Sequence, residues 1–122
     1  MKHSEGFLRL VNDAKTRIRE VTVEQTRERM GSNPRVKLID VREDHEWQAG
    51  HAAGAGHLGK GIIERDIEEK VGDKSTEIIL YCGGGYRSAL VTDVLQGMGY
   101  TNVFSMAGGW KAWKESGAPT ME

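Results

Sequence analysis

The stretch that decides the fold reads Glu77-Ile78-Ile79-Leu80-Tyr81-Cys82-Gly83-Gly84-Gly85-Tyr86-Arg87-Ser88. Its first half is a short continuous apolar run, which is typical of a buried β-strand. Three glycines then interrupt the run. The apolar residues that follow recur at helical spacing, at Leu90, Val91, Val94, Leu95 and Met98. A strand, a tight loop and a helix therefore follow one another without a spacer, and Cys82 lies where strand and loop meet.

The same alternation extends along the chain in both directions. Apolar runs predict strands over residues 36–41, 77–81 and 102–105, with a very short strand over 55–58. Amphipathic or capped segments predict helices over residues 22–30, 43–48, 62–71 and 110–115, besides the one after the cysteine loop. Strands alternating with helices predict an α/β fold with a parallel sheet covered by helices on both faces.

The N-terminal segment has its own apolar stripe. Its members are Phe7, Val11, Ala14, Ile18 and Val21, spaced alternately by four and three residues. This spacing predicts one helix with a single apolar face. Thr22 and Gln25 then have the form of a capping box and start the next helix. We therefore expect residues 1–21 to form a helical extension and residues 22–122 to form the main domain.

The composition limits the classes of function. A chain of 122 residues with 38% hydrophobic and 29% charged residues is typical of one globular domain. The net charge of -1 gives no reason to expect nucleic acid or a membrane surface as a partner. A single cysteine cannot form an internal disulfide, and residues 1–20 lack the apolar core of a secretory signal. We therefore expect a cytoplasmic protein.

The loop around Cys82 predicts a nucleophile in an anion-binding cradle. Ligands of open α/β sheets bind beyond the carboxyl ends of the strands. The N–H groups of the following helix, and of a loop without Cβ atoms, favour an anion such as a thiolate there. Arg87 adds a permanent positive charge, but no general base stands beside the thiol in the sequence.

The spacing from Cys82 to Arg87 distinguishes two chemistries. Four residues separate the two. Cysteine-dependent phosphatases with such a cradle have one residue more, which makes a wider loop around a phosphoryl group. The tighter loop here better matches a single sulfur atom carried on the cysteine. A persulfide also needs little acid–base assistance, which fits the missing base.

Three motifs in order resemble the single-domain rhodaneses, the thiosulfate sulfurtransferases. The first resemblance lies in Leu38-Ile39-Asp40-Val41-Arg42-Glu43, Glu46-Trp47, Gly50-His51 and Gly54-Ala55. The second is the loop from Cys82 to Ser88. The third lies in Gly108-Gly109-Trp110-Lys111-Ala112-Trp113, with Gly117 and Pro119 after it. The resemblance runs from about Thr22 to Pro119.

The resemblance implies a rhodanese-like fold, with a five-stranded parallel sheet, and a persulfide formed on Cys82. The sulfur would come from thiosulfate or a persulfide donor and pass to cyanide, a thiol or an acceptor protein, without a cofactor. The residues expected to hold the persulfide are Gly83, Gly84, Gly85, Tyr86, Arg87 and Ser88. Asp40, Arg42 and His51 are expected to have structural roles. Gly83 stands where the family often has a basic residue, which makes the cradle less positive.

Other interpretations of the sequence stay open at this point. The glycine-rich segment 54–61 lacks a preceding strand and the Ser or Thr of a phosphate-binding loop, so we favour a turn there. We treat Lys60 and Arg65 as candidates for attracting thiosulfate. The spacing of His45, His51 and His57 does not suit zinc, and we expect no metal site. Alternative functions are a persulfide carrier or interaction module, and a small phosphatase or arsenate reductase.

Overall fold

The computed structural model describes residues 3–122. Its strands are β1 (Glu20–Val21), β2 (Lys37–Asp40), β3 (His51–Ala52), β4 (Gly56–His57), β5 (Ile78–Tyr81), β6 (Val103–Met106) and β7 (Thr120–Met121). Its helices are α1 (Glu5–Lys15), α2 (Val23–Ser32), α3 (Asp44–Ala49), α4 (Ile63–Lys70), α5 (Tyr86–Gly97) and α6 (Gly109–Glu115). Five strands form one parallel sheet in the order β1-β6-β5-β2-β4, so the predicted fold class is confirmed.

The two faces of the sheet bury different side chains of the central strand β5. Ile78 and Leu80 pack in one apolar cluster with residues of α4 and α5, and Cys82 continues that face beyond the end of the strand. Ile79 and Tyr81 pack in a second cluster with residues of α2 and α6. Side chains alternate across a strand, so a strand buried on both faces must be apolar throughout. The unbroken run at residues 78–81 meets this requirement.

The fifth strand lies where the sequence predicted a helix. α1 ends at Lys15, and Glu20–Val21 forms β1, in which Val21 is opposite Met106 of β6. The prediction that Ile18 and Val21 continue the helical stripe was therefore wrong. Apolar spacings of four and three residues do not distinguish one helix from a helix followed by a strand. Glu20 and Val21 belong to the main sheet, and the division of the chain after residue 21 stays a prediction.

Helix α1 packs against α5 of the same chain. Val11 and Ala14 are buried there. Arg17 donates to both carboxylate oxygens of Asp93, at 3.0 and 2.8 Å, and Gln96 donates to the carbonyl of Arg17 at 2.9 Å. The apolar face of the extension is thus covered by its own domain.

The region between β2 and α4 is shaped by a second, antiparallel pair of strands that the sequence analysis missed. β3 pairs with β7 near the C-terminus, with His51 opposite Met121 and Ala52 opposite Thr120. Two-residue strands carry no periodic signal, which is why the sequence predicted a loop there.

Within residues 3–122, no helix is long and apolar enough to cross a membrane.

Candidate functional site

The sulfur of Cys82 lies inside the loop that follows the central strand. The backbone N–H groups of Gly85 and Ser88 donate to Sγ at 3.2 and 3.3 Å, and the hydroxyl of Ser88 lies 3.5 Å away. Only 1% of Cys82 is exposed. Hydrogen-bond donors fixed around the sulfur can stabilise negative charge that develops there during a reaction, because the backbone needs no rearrangement to do so.

A pair of buried hydroxyl groups lies beneath the sulfur. Ser88 Oγ and Ser105 Oγ are 2.8 Å apart, and both residues are fully buried. Ser88 begins the buried face of α5, while Ser105 lies on β6. A hydroxyl both donates and accepts, so Ser105 can orient the Ser88 hydroxyl towards the sulfur.

Backbone contacts with the start of α6 fix the loop from below. The N–H of Trp110 donates to the carbonyl of Cys82 at 2.7 Å, and the N–H of Lys111 donates to the carbonyl of Gly83 at 3.1 Å. This approach requires glycine at position 109, where φ is +53° and a Cβ would overlap the carbonyl oxygen of Cys82. Gly85 has φ of +98° and lies against the backbone of Gly108. The glycine pair at 108–109 and the cysteine loop therefore form one structural unit.

The guanidinium of Arg87 forms an ion pair with a carboxylate beside the cysteine loop. Its guanidinium donates to both carboxylate oxygens of Glu46 on α3, at 2.8 and 3.1 Å. This bidentate pair, with the permanently charged guanidinium, lowers the pKa of Glu46 to about 2. The same partner, together with the nearby sulfur of Cys82, raises the pKa of Arg87. The charge that Arg87 brings to the cradle is thus balanced by a carboxylate.

Asp40 and Arg42 form a buried ion pair at the end of β2. Asp40 is fully buried, and Arg42 donates to it at 2.7 Å and to the carbonyl of Gly50 at 2.6 Å. His51 donates from Nδ1 to the carbonyl of Trp47 at 3.0 Å and stacks on the Trp47 ring at 3.4 Å. These contacts join the end of β2, helix α3 and β3. The polar groups of Asp40, Arg42 and His51 are engaged in these contacts, which supports structural roles and not acid–base chemistry for them.

The cavity that contains the thiol has a volume of about 450 Å³. It is lined by His3, Phe7, Glu46, Cys82, Gly84, Tyr86 and Arg87. A larger depression of about 690 Å³ lies beside Arg42 and Trp110 and does not include the thiol, so size alone does not mark the site. Lys60 and Arg65 are not among the lining residues of the thiol cavity, and Arg65 donates to its neighbour Asp66 at 2.7 Å.

Several residues that surround the thiol have roles that were not predicted from the sequence. Glu46 belongs to a motif but had no assigned role, and Ser105 carries no sequence signal at all. His3 and Phe7 come from the N-terminal segment, whose position relative to the loop depends on how α1 packs against α5. A role for Glu46 could have been suspected from the sequence, because this acidic residue lies in the same motif as the ion pair of Asp40 and Arg42. For the others, no pattern along the chain could have revealed the contact.

Comparison with known proteins finds sulfurtransferases among the relatives of this chain. GlpE of Pseudoalteromonas translucida, a thiosulfate sulfurtransferase, is 30% identical over 85% of this chain and 96% of its own length. YrkF of Bacillus subtilis is 26% identical over 79% of this chain, which spans about half (51%) of YrkF. The solution structure of the polysulfide-sulfur transferase homodimer from Wolinella succinogenes superposes with a TM-score of 0.82, at 24% identity. The superposition covers 95% of this chain and 87% of that one.

The profile of the Rhodanese-like domain matches residues 22–116, which include the buried ion pair, the cysteine loop and the glycine pair beneath it. With this match over most of its length and with sulfurtransferases among its relatives, the chain belongs to the rhodanese-like sulfurtransferase family.

Proposed function

We propose that this protein transfers sulfane sulfur through a persulfide on Cys82. The thiolate attacks the outer sulfur of thiosulfate or of a persulfide donor, and the S–S bond of the donor breaks. The donor leaves as sulfite or as a thiolate with the electron pair of that bond. The observation that carries the proposal is the pair of backbone N–H groups, from Gly85 and Ser88, that point at Sγ.

The loop suits a persulfide because its donors are fixed before the sulfur arrives. Two N–H donors and the Ser88 hydroxyl surround the attacking atom, and the outer sulfur would extend into the cavity beyond Gly84. Neither leaving group requires protonation. The proposed step therefore needs no general acid, and because it starts from the thiolate it needs no general base; the proposed reaction needs no metal or organic cofactor.

An acceptor would complete the cycle by attacking the outer sulfur of the Cys82 persulfide. Cyanide would leave as thiocyanate, and a thiolate would leave as a new persulfide, while Cys82 returns to its thiolate form in both cases. The two half-reactions share one site in turn, so the kinetics are expected to be ping-pong. We propose the cytoplasm as the location, because the thiol must stay reduced to react.

The test is intact-protein mass spectrometry after incubation with thiosulfate and, separately, with an organic persulfide. We expect an increase by the mass of one sulfur atom, which disappears on addition of cyanide. The variant Cys82→Ser should show no increase. Absence of added sulfur on the natural protein with both donors would overturn the proposal. Hydrolysis of an aryl phosphate by the same preparation would instead favour the phosphatase alternative.

A further inference from the structure

The N-terminal segment forms one wall of the cavity around the thiol. His3, Phe7 and Tyr86 make a cluster of three rings, which we call the aromatic wall. The ring centres of His3 and Tyr86 are 4.4 Å apart, those of His3 and Phe7 are 5.3 Å apart, and those of Phe7 and Tyr86 are 6.3 Å apart. All three residues line the same cavity as Cys82. The proposed function uses none of these side chains.

The aromatic wall is held in place by the anchored extension. Phe7 lies on α1, whose Val11 and Ala14 are buried and whose end is fixed by the bidentate contact from Arg17 to Asp93 on α5. Tyr86 is the first residue of α5. Both sides of the aromatic wall therefore rest on helices packed against each other, and the cavity is formed in the free protein.

The charge of the cavity is balanced among its described lining residues. Arg87 and Glu46 form a bidentate ion pair, and the residue after Cys82 is the uncharged Gly83. The ammonium of Lys15 lies 5.7 Å from the centre of the Tyr86 ring and is not among the lining residues. A dianion such as thiosulfate would lose water here without gaining an unpaired positive charge, which is unfavourable. An apolar group against three rings would gain by burial.

We propose that His3 and Phe7 are specificity-determining residues that select organic persulfides with an apolar or aromatic body over thiosulfate. This inference rests on the proposed function and names its donor class. The step is Cys82–S⁻ plus R–S–SH giving Cys82–S–SH plus R–S⁻. The S–S bond of the donor breaks, the new S–S bond forms on Cys82, and the thiolate leaves with the electron pair. The group R lies against the aromatic wall while the transferred sulfur lies in the cysteine loop.

The experiment measures how fast Cys82 gains sulfur from three donors, by intact mass on the full chain. The donors are benzyl hydropersulfide, methyl hydropersulfide and thiosulfate. The two hydropersulfides break the same kind of S–S bond but release thiolates of different basicity, so the change in the ratio of their rate constants between the natural protein and a variant reports the contacts made by R. We expect the natural protein to favour the benzyl donor by about tenfold, as expected for added apolar contact in a pocket.

The variant Phe7→Ala should abolish most of this preference, measured as the ratio of the benzyl to the methyl rate constant. Leu10→Ala is the matched control, because Leu10 lies on the same helix but is 62% exposed. It should change neither rate. Should Phe7→Ala fail to fold, His3→Ala gives the same readout, since His3 precedes the first turn of α1. A separate variant, Glu46→Gln, frees the charge of Arg87 and should raise the rate with thiosulfate relative to the benzyl donor.

The outcomes separate this inference from the proposed function. An unchanged benzyl-to-methyl ratio in Phe7→Ala, or in His3→Ala where that variant replaces it, overturns the role of the aromatic wall even though Cys82 carries sulfur. A natural protein that does not distinguish benzyl from methyl donors overturns it as well. If none of the three donors adds sulfur to Cys82, the proposed function itself fails.

Discussion

Replacing Gly109 by alanine should damage the cysteine loop from a position outside it. Residue 109 has φ of +53°, and a Cβ there would overlap the carbonyl oxygen of Cys82 and lie 2.9 Å from the carbonyl carbon and oxygen of Gly83. A left-handed conformation costs an alanine about 1 kcal/mol relative to glycine. The overlapping atoms are backbone, so the clash can be relieved only by moving the loop or α6, at about 1–3 kcal/mol.

The movement would also weaken two hydrogen bonds. The N–H groups of Trp110 and Lys111 donate to the carbonyls of Cys82 and Gly83, and each bond contributes about 1 kcal/mol. We therefore expect Gly109→Ala to lower the free energy of unfolding by about 4 kcal/mol. With a typical dependence on denaturant, the urea midpoint would fall by about 2 M. The rate of sulfur addition to Cys82 should fall as well, because the donors to Sγ move with the loop.

Gly97→Ala is the matched control for this substitution. Gly97 is the last residue of α5, and an added Cβ would have no heavy atom within 4 Å. Alanine there should leave sulfur addition unchanged and stabilise the protein by up to about 1 kcal/mol. Equal stability and equal sulfur addition in Gly109→Ala and the natural protein would refute the argument that the glycine pair positions the loop.

Three further predictions concern the ion pairs and the hydroxyl pair. Arg87 lowers the pKa of Glu46 from 4.5 to about 2, so the pair stabilises the fold fully above about pH 4.5 and progressively less towards pH 2. Urea unfolding of Glu46→Gln should lose less stability between pH 5 and pH 3 than the natural protein, and parallel losses would contradict this. Asp40→Ala should lower the free energy of unfolding by about 3–5 kcal/mol, because it leaves Arg42 buried without its partner; a loss under about 1 kcal/mol in urea unfolding would contradict a structural role. Ser88→Ala should slow sulfur addition to Cys82 about tenfold, as measured by mass spectrometry, because the Ser88 hydroxyl, which accepts from the Cys82 thiol at 3.5 Å, would donate to the sulfur once it is a thiolate; an unchanged rate would show that the backbone donors suffice.

Most of the fold could be predicted from local patterns. The strands at 37–40, 78–81 and 103–106 and the helices α2 to α6 lie within a few residues of their predicted positions. The error at β1 has a clear cause. Val21 faces the same core as the strands beside it, but two residues are too few to show the period of a strand. The same limit explains the missed pairing of β3 with β7.

The candidate site likewise has one part that the local sequence predicts and another that depends on tertiary packing. Cys82, its glycines and the N–H groups of Gly85 and Ser88 lie within one short segment, and the loop length is a property of the sequence itself. The partner of Arg87 cannot be identified from the local sequence, because Glu46 lies 41 residues earlier and contacts Arg87 only when α3 packs beside the loop. The role of Lys60 and Arg65 in attracting thiosulfate stays a prediction, and neither residue lines the thiol cavity.

What the sequence by itself determined was the alternation of the main strands and helices, the position of the thiol at the end of a strand, and the length of the loop from Cys82 to Arg87. These features depend on neighbouring residues, whose spacing can be read along the chain. The tertiary structure alone decided that Glu46 neutralises Arg87, that Gly109 supports the loop, and that Phe7 faces the thiol cavity. Each of these contacts joins segments far apart in the chain, and only the packing of whole helices against the sheet brings them together.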